Sequence, residues 1–399
     1  MECKTPEVIR LTKELVEIES TNIGTFEGEI SVFVEKWIKK QTEIEARREE
    51  FLPGRFNVIA VLKGEQTHPN LVYIAHMDTV PAGNGWNGNP FKATMVNNRM
   101  YGRGTCDMKA GLAAAMIAFR DTVLYCKEHN IVPKYDFVFV ASGDEEDVMR
   151  GADSIVKQGI ATKESWVLDT EPTGALVDPR SDFPKGGYIT MAHKGKTWFE
   201  ITIRGRSAHG SMPYNGADAI IAMSEVVLEI RNALRQYSPD PVLGMPTACF
   251  GMIEGGYNIN VVADECKVKI DMRLAPPLTN EDSIQLVKEA IERGVGRVPG
   301  TEGDYSVLAQ RPYVEQNNES YLLKMLQESI KDTTGEYAEV VPFTGYTDSG
   351  VIDGSTGCAN GMSYGARGAN YHQANEYVQC DSVVENLCVI KKLAKKILL

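Results

Sequence analysis

His76 and Asp78 stand two residues apart, directly after the apolar run Leu71–Ala75. If that run is a strand, the spacing turns both toward the same side. A carboxylate behind a histidine is the usual device for fixing the tautomer of a metal ligand. Asp144, Glu145 and Glu146 follow Phe137–Val140 in the same way, and Asp169 and Glu171 follow Trp166–Leu168. Adjacent carboxylates repel unless a cation lies near, so Glu145 and Glu146 read either as part of a metal site or as a solvated acidic turn flanked by Asp144 and Asp147. Asp107 closes Gly102-Arg103-Gly104-Thr105-Cys106-Asp107, and His372 sits far downstream in Tyr371-His372-Gln373. Singly, the H-x-D pair is a weak signal, and Asp107, Glu171 and His372 read as surface or capping residues. Together, two histidines and three carboxylates in loops after strands fit the mixed nitrogen and oxygen ligation of a zinc pair bridged by one carboxylate.

Competing chemistries lack their residues. The chain contains no H-E-x-x-H and no G-x-x-x-x-G-K-[ST]. Gly83-Asn84-Gly85-Trp86-Asn87-Gly88 matches G-x-G-x-x-G, but Pro90 falls where a helix would start, so it reads as a turn-rich loop. Cys106, next to Asp107, reads as a small packing residue, with redox control of the site as the alternative.

The elements that must position these residues alternate. Residues 7–18 and 30–40 carry apolar positions at helical spacing, and Lys109–Phe119 is Ala-rich and helical. Asn57–Leu62, Leu71–Ala75, Phe137–Val140 and Trp166–Leu168 are short apolar runs expected of buried strands. This interleaving predicts an α/β catalytic domain with a largely parallel central sheet flanked by helices, its ligands at the carboxyl ends of the strands. Near Gly186-Gly187 the texture changes. An extended stretch from Tyr188 to Ile203, helices over about 216–236 and 280–294, and strands near 247–254, 261–274 and 305–309 give the β-α-β-β-α-β order of a ferredoxin-like α+β unit. The expected organisation is therefore 1–186 and 303–399 as the two parts of the catalytic domain, with 187–302 inserted.

At 399 residues, two domains are expected. A hydrophobic share of 43% and a charged share of 24% are ordinary for a globular chain, which argues against disorder. A net charge of −12 repels phosphate backbones and argues against nucleic acid as a partner. Met1-Glu2-Cys3-Lys4-Thr5-Pro6 lacks an apolar secretory stretch, and no run of about 18 apolar residues suggests a membrane span. The eight cysteines are scattered without a C-x-x-C, as expected of reduced thiols in a cytoplasmic protein. Val389–Leu399 reads as a basic amphipathic helix whose lysines complement its dipole, with a membrane-surface role as the lesser alternative.

These segments together resemble metallopeptidase family 20, the group of acetylornithine deacetylases, succinyl-diaminopimelate desuccinylases, carboxypeptidase G2-like enzymes and aminoacylases. The matching stretches are Ala75-His76-Met77-Asp78-Thr79-Val80-Pro81, the run from Tyr101 to Gly111, Ser142-Gly143-Asp144-Glu145-Glu146, Glu171-Pro172-Thr173, Ser207-Ala208-His209-Gly210-Ser211-Met212-Pro213 and Tyr371-His372-Gln373. The resemblance implies that His76, Asp107, Glu146, Glu171 and His372 hold two Zn2+ ions per chain, Asp107 bridging, with Co2+ or Mn2+ able to substitute. It implies that Asp78 orients His76 and that Glu145 is the general base. It further implies that the inserted unit is a lid and homodimerisation domain, that His209 on it reaches the scissile carbonyl oxygen, and that Asn260 and Arg273 bind a substrate carboxylate. Read from the residues alone, Asn260 is a sheet-edge asparagine and Arg273 a solvated arginine. Ala75 and Ala110 replace common glycines, and Asp218 stands where Asn is usual; none of these removes a ligand.

The activity implied is hydrolysis of the amide bond in an N-acyl amino acid or short peptide with a free carboxylate. A dipeptidase or carboxypeptidase would use the same residues, and a non-catalytic metal-binding homodimer would not need Glu145.

Overall fold

The computed structural model describes residues 6–175 and 183–399. The opening Met1-Glu2-Cys3-Lys4-Thr5, read above as non-secretory, lies outside the described residues. Along the chain come α1 (Glu7–Val16), α2 (Gly28–Thr42), β1 (Ala46–Leu52), β2 (Arg55–Leu62), β3 (Gln66–His76), β4 (Thr94–Val96), β5 (Arg99–Tyr101), α3 (Ala110–His129), β6 (Tyr135–Ser142), α4 (Arg150–Lys157), β7 (Trp166–Asp169) and β8 (Tyr188–His193). Then follow β9 (Gly195–Arg204), α5 (Ala219–Leu234), β10 (Thr247–Gly255), β11 (Glu265–Leu274), α6 (Asn280–Gly296) and β12 (Glu302–Arg311). The chain ends through α7 (Tyr321–Thr334), β13 (Glu339–Phe343), α8 (Asp348–Thr356), β14 (Gly361–Ser363), β15 (Gly368–Ala369), β16 (Tyr377–Gln379) and α9 (Cys380–Leu398).

Two compact units result. The first takes the chain up to Met191, then Gln316–Val341 and Thr347–Leu399; the second is Ala192–Glu315 with Pro342–Tyr346. In the first, an eight-stranded sheet runs β1-β2-β6-β3-β7-β14-β8-β13. Its centre, β6-β3-β7-β14, is parallel, while β1 and β2 join antiparallel on one side and β8 on the other. The central strands are apolar at nearly every position because both their faces are covered. Leu71 to Ala75 are fully buried, as are Phe137 and Phe139. One face packs on α1, α3 and α9, the other on apolar side chains of α4 and α8 such as Ile155 and Ile352. Small residues let α3 press close to the strand ends: a side chain at Gly111 would collide with the Thr170 carbonyl, beside Glu171.

In the second unit the order β9-α5-β10-β11-α6-β12 folds into an antiparallel sheet, β10-β11-β9-β12, which is the ferredoxin-like arrangement. Cys266, Val268, Ile270, Met272 and Leu274 alternate along β11 toward α5 and α6. Asp218 caps α5 by accepting from the Ile220 and Ile221 amides, work that Asp does as well as Asn. Thr279 and Asp282 close a capping box on α6.

Two expected boundaries move. The extended stretch 188–203 is two strands that part at Lys194: β8 belongs to the large sheet and β9 to the small one. The inserted unit also extends past residue 302, because β12 hydrogen-bonds along β9 from Glu302 to Arg311. The C-terminal helix begins earlier than expected and is a core element. Val389, Ile390, Leu393 and Ile397 are buried, and Lys396 pairs with Asp332 at 2.9 Å. Its amphipathicity is thus absorbed by the protein's own core.

The loop carrying Glu145 and Glu146 is braced from behind. Arg55 meets Glu27 through two contacts of 2.6 Å and Asp144 at 3.0 Å, and the Glu27 carboxylate accepts the Asp144 amide. All three side chains are buried. Arg55→Met leaves the buried Glu27 carboxylate without its cation, while Asp144 keeps Arg150 at 2.9 Å, and should cost about 3–5 kcal/mol, read as a lower urea midpoint at unchanged m-value. Unchanged stability would show that the cluster is not a structural brace.

Candidate metal centre

The site grows from the carboxyl ends of the parallel strands. His76 ends β3, the Asp144–Glu146 turn follows β6, and Glu171 lies two residues beyond β7. Asp107 comes from the turn between β5 and α3, and His372 from the loop between β15 and β16. A small sheet, β15-β16-β5-β4, ties these last two segments together, with Tyr377 opposite Tyr101 and Val378 opposite Met100.

The ligating atoms converge. His76 Nε2 lies 3.1 Å from Asp107 Oδ1 and 3.5 Å from Glu171 Oε1. His372 Nε2 lies 3.3 Å from Asp107 Oδ2 and 2.8 Å from Glu146 Oε2. Asp107 therefore presents one oxygen to each histidine, the arrangement a bridging carboxylate needs. Two sets of donors, His76 with Glu145 and Glu171, and His76 with Asp107 and Glu146, each lie within 4.8 Å of one another. Glu145 stands 4.0 Å from His76 Nε2.

Asp78 acts differently from expectation. The ring of His76 donates from Nδ1 to the Asp78 main-chain carbonyl at 2.8 Å, while the nearest Asp78 carboxylate oxygen is 3.8 Å away. With Nδ1 tied to that carbonyl, Nε2 is the nitrogen that faces Asp107 and Glu171. The Asp78 carboxylate instead accepts the main-chain amides of Glu145 and Glu146, both at 3.2 Å, and the side-chain amide of Asn22 at 2.9 Å.

Protonation shows how strongly the cluster repels itself. Burial raises Glu145, Glu146 and Glu171 above the usual carboxylate range, and neighbouring carboxylates add to it. Burial would also raise Asp107, but the two histidines outweigh it and hold Asp107 low. Hydrogen bonds to Asp107 and Glu146 lift His372 to about 10. Without a cation these groups hold protons against one another; two divalent ions would take the place of those protons. Four carboxylates and two imidazoles facing one another fit a dinuclear metal centre.

The other expected residues lie in the second unit. His209 is exposed, and its Nδ1 accepts the Ser211 amide at 3.2 Å and lies 2.7 Å from the Ser211 hydroxyl. An Nδ1 that accepts leaves the proton on Nε2, which makes that nitrogen a donor. Asn260 adjoins the same loop, its carbonyl accepting the Gly210 amide at 2.7 Å. Arg273 on β11 pairs with Asp271 at 2.9 Å. Cys106 is buried, and burial pushes its thiol up, so it stays protonated and packs.

Sequence reading missed three participants. Asn22 links Asp78 to Asp144; Glu376 lies fully buried beyond His372. Asp348 accepts the Ser142 hydroxyl at 2.5 Å behind the strand ends. Burial and the neighbouring Asp169 push Asp348 up to about 8. The one available signal was position: Glu376 lies four residues past His372, and Asp348 opens α8.

Residues 72–396 match the family described as peptidase family M20/M25/M40. The acetylornithine deacetylase of Photorhabdus laumondii is 31% identical over 312 residues, 75% of this chain and 76% of the relative. A probable succinyl-diaminopimelate desuccinylase of Staphylococcus aureus is 25% identical over 98% of each chain. Among solved structures, an aminopeptidase of Bacillus cereus superposes with a TM-score of 0.78 at 21% identity, and an M20 metallo-carboxypeptidase of Sulfolobus solfataricus with 0.77 at 20%; each match spans at least 98% of both chains, and at such identity it speaks for the fold alone. With a family match over most of its length and a cluster of metal-ligating side chains at the expected strand ends, the chain belongs to peptidase family M20/M25/M40 and is a metal-dependent hydrolase.

Proposed function

We propose that this protein is a dinuclear zinc amidohydrolase that releases the acyl group from an N-acyl amino acid or short peptide bearing a free carboxylate. The observation that carries the reading is Asp107 offering one carboxylate oxygen to each of two histidines, with Glu145 beside them. His76 and Glu171 would hold one ion and His372 and Glu146 the other, with Asp107 between. Bound there, two divalent ions supply the Lewis acidity that polarises a carbonyl and acidifies a water. Relatives named as a deacetylase and a desuccinylase favour an acylated amino acid over a plain peptide.

The chain's own groups supply the rest. Glu145 takes a proton on its carboxylate and returns it to the departing amine, a task helped by burial that makes it more basic than a solvated glutamate. His209 donates from Nε2 to the oxygen that gains charge. Asn260 and Arg273 receive the substrate carboxylate. The second unit would serve as lid and dimerisation surface: edge strand β10 exposes Met252 and Ile253, each 63% accessible, and α5 exposes Ile221. An apolar sheet edge of this kind suits a second copy of the chain. Every cysteine among the described residues is free, which suits a cytoplasmic protein. No helix among the described residues is long and apolar enough to cross a membrane.

Three outcomes follow from this reading. Purified protein should carry close to two zinc-like ions per chain, a chelator should abolish turnover, and zinc, cobalt or manganese should restore it; undiminished activity in verified metal-free protein sinks the proposal. Against a panel of N-acyl amino acids and dipeptides, Glu145→Gln should retain both ions and lower kcat by about 10²–10⁴-fold. Loss of metal in Glu145→Gln but not in Glu146→Gln would exchange the two roles. His209→Ala should lower kcat by about 10²–10³-fold at unchanged metal content. Wild-type kcat in that variant would remove His209 from the chemistry.

A further inference from the structure

Glu376 has no accessible surface, yet its carboxylate is engaged on both oxygens. Oε2 accepts from Arg103 Nη1 at 2.6 Å and from the Gly104 amide at 3.0 Å. Oε1 accepts from the Cys106 amide at 2.8 Å and from the amide of Asp107 itself at 3.0 Å. The Glu376 carbonyl accepts the Gly102 amide at 3.0 Å. The turn 104–107 thus points three backbone amides at one spot, the kind of concavity that ordinarily receives an anion; here the anion comes from the same chain. Arg103, held by this carboxylate, also donates to the Pro81 and Ala82 carbonyls at 3.4 and 3.2 Å, a few residues past His76. Glu376 itself follows His372 by four residues.

Three ligand-bearing segments therefore meet at one side chain that touches no ligating atom. We infer that Glu376 is a positioning residue for the metal centre: by accepting the Asp107 and Cys106 amides while anchored next to the His372 loop, it sets the separation of Asp107 and His372, and so the affinity for the ion those two share with Glu146. This inference rests on the two-metal reading above. Neither Asp107 nor His372 has such a tether from its own side chain, whose atoms are given to the cluster. The substitution Glu376→Gln shows why a carboxylate is required. An amide of the same shape keeps one acceptor oxygen and turns the other into a donor, which then faces either Arg103 and Gly104 or Cys106 and Asp107, donors all. One half of the clamp must open.

The test titrates metal-free protein with zinc against a chromophoric chelator and records the visible spectrum of the cobalt-loaded form. Wild type should show two binding steps. Glu376→Gln should weaken one step by about 10–100-fold, the usual effect of removing a residue that orients a ligand, leave the other little changed, and alter the cobalt bands; Glu376→Asp, with both oxygens but a shorter reach, should recover part of the loss. Two unchanged steps and an unchanged spectrum in Glu376→Gln would overturn the role of Glu376 while leaving the two-metal centre intact. Equal weakening of both steps, with a lower melting temperature of the metal-free protein, would reduce Glu376 to a general fold support and also overturn it. No zinc uptake by wild type would overturn this inference and the metal centre together. If Glu376→Gln does not fold, the same criteria apply to Glu376→Asp, and wild-type constants there would refute the role.

Discussion

Like charges forced together out of water are the constraint around which the first unit is built. Asp107, Glu145, Glu146 and Glu171 face two imidazoles at the mouth of four parallel strands, where burial alone favours the neutral form of every acid. Side chains under such repulsion would swing apart if their backbones were free. The structure answers with tethers that run through main-chain groups. The Asp78 carboxylate holds the Glu145 and Glu146 amides, the Asp78 carbonyl holds the His76 ring, and the Arg55 cluster stands behind Asp144. The ligating oxygens are then left facing one another, which is an unfavourable state for protein alone and a favourable one around cations.

The parallel sheet makes this economical in geometry. Strands β6, β3, β7 and β14 end side by side, so loops far apart in sequence emerge within reach of one another. The close approach of α3 to the Thr170 carbonyl, allowed by Gly111, keeps the floor of the site near the strand ends. Gly365 does the same from the other side, since a side chain there would strike the Glu171 carbonyl. The second unit solves a separate problem with a separate core, and its His209 loop is fixed by local hydrogen bonds that decide which ring nitrogen bears the proton.

What could be read from the sequence was whatever leaves a periodic or compositional trace. Leu71–Ala75 and Phe137–Val140 announce buried strands, and a polar residue close behind such a run stands out, so His76, Glu145 and Glu146 were legible, with Glu171 gaining weight only beside them. Asp107 and His372 were legible mainly as a set with the others, because their strands, β5, β15 and β16, are only two or three residues long and carry no pattern. Glu376 and Asn22 were illegible for a different reason: they act on backbone amides and on another residue's carboxylate, partners that no local spacing specifies. The domain boundaries slipped where the chain stays extended while changing sheets, as it does at Lys194, and where β12 pairs with a strand a hundred residues earlier. The Asp78 role was legible by residue but not by atom, since sequence does not say whether a side chain or its own carbonyl meets a neighbour.

The order of the ligands along the chain has a consequence during synthesis. His76, Asp107, Glu146 and Glu171 leave the ribosome before the inserted unit, while β14, His372 and α9 come after it. The second unit's sheet, β9 to β12, comes off in one stretch between the two parts of the first. Until the last segments arrive, the large sheet lacks β13 and β14, and three acidic ligands lack one histidine and the strand pairing that seats it. A chain interrupted after the inserted unit would therefore carry every ligand but His372 on a sheet still missing two of its eight strands.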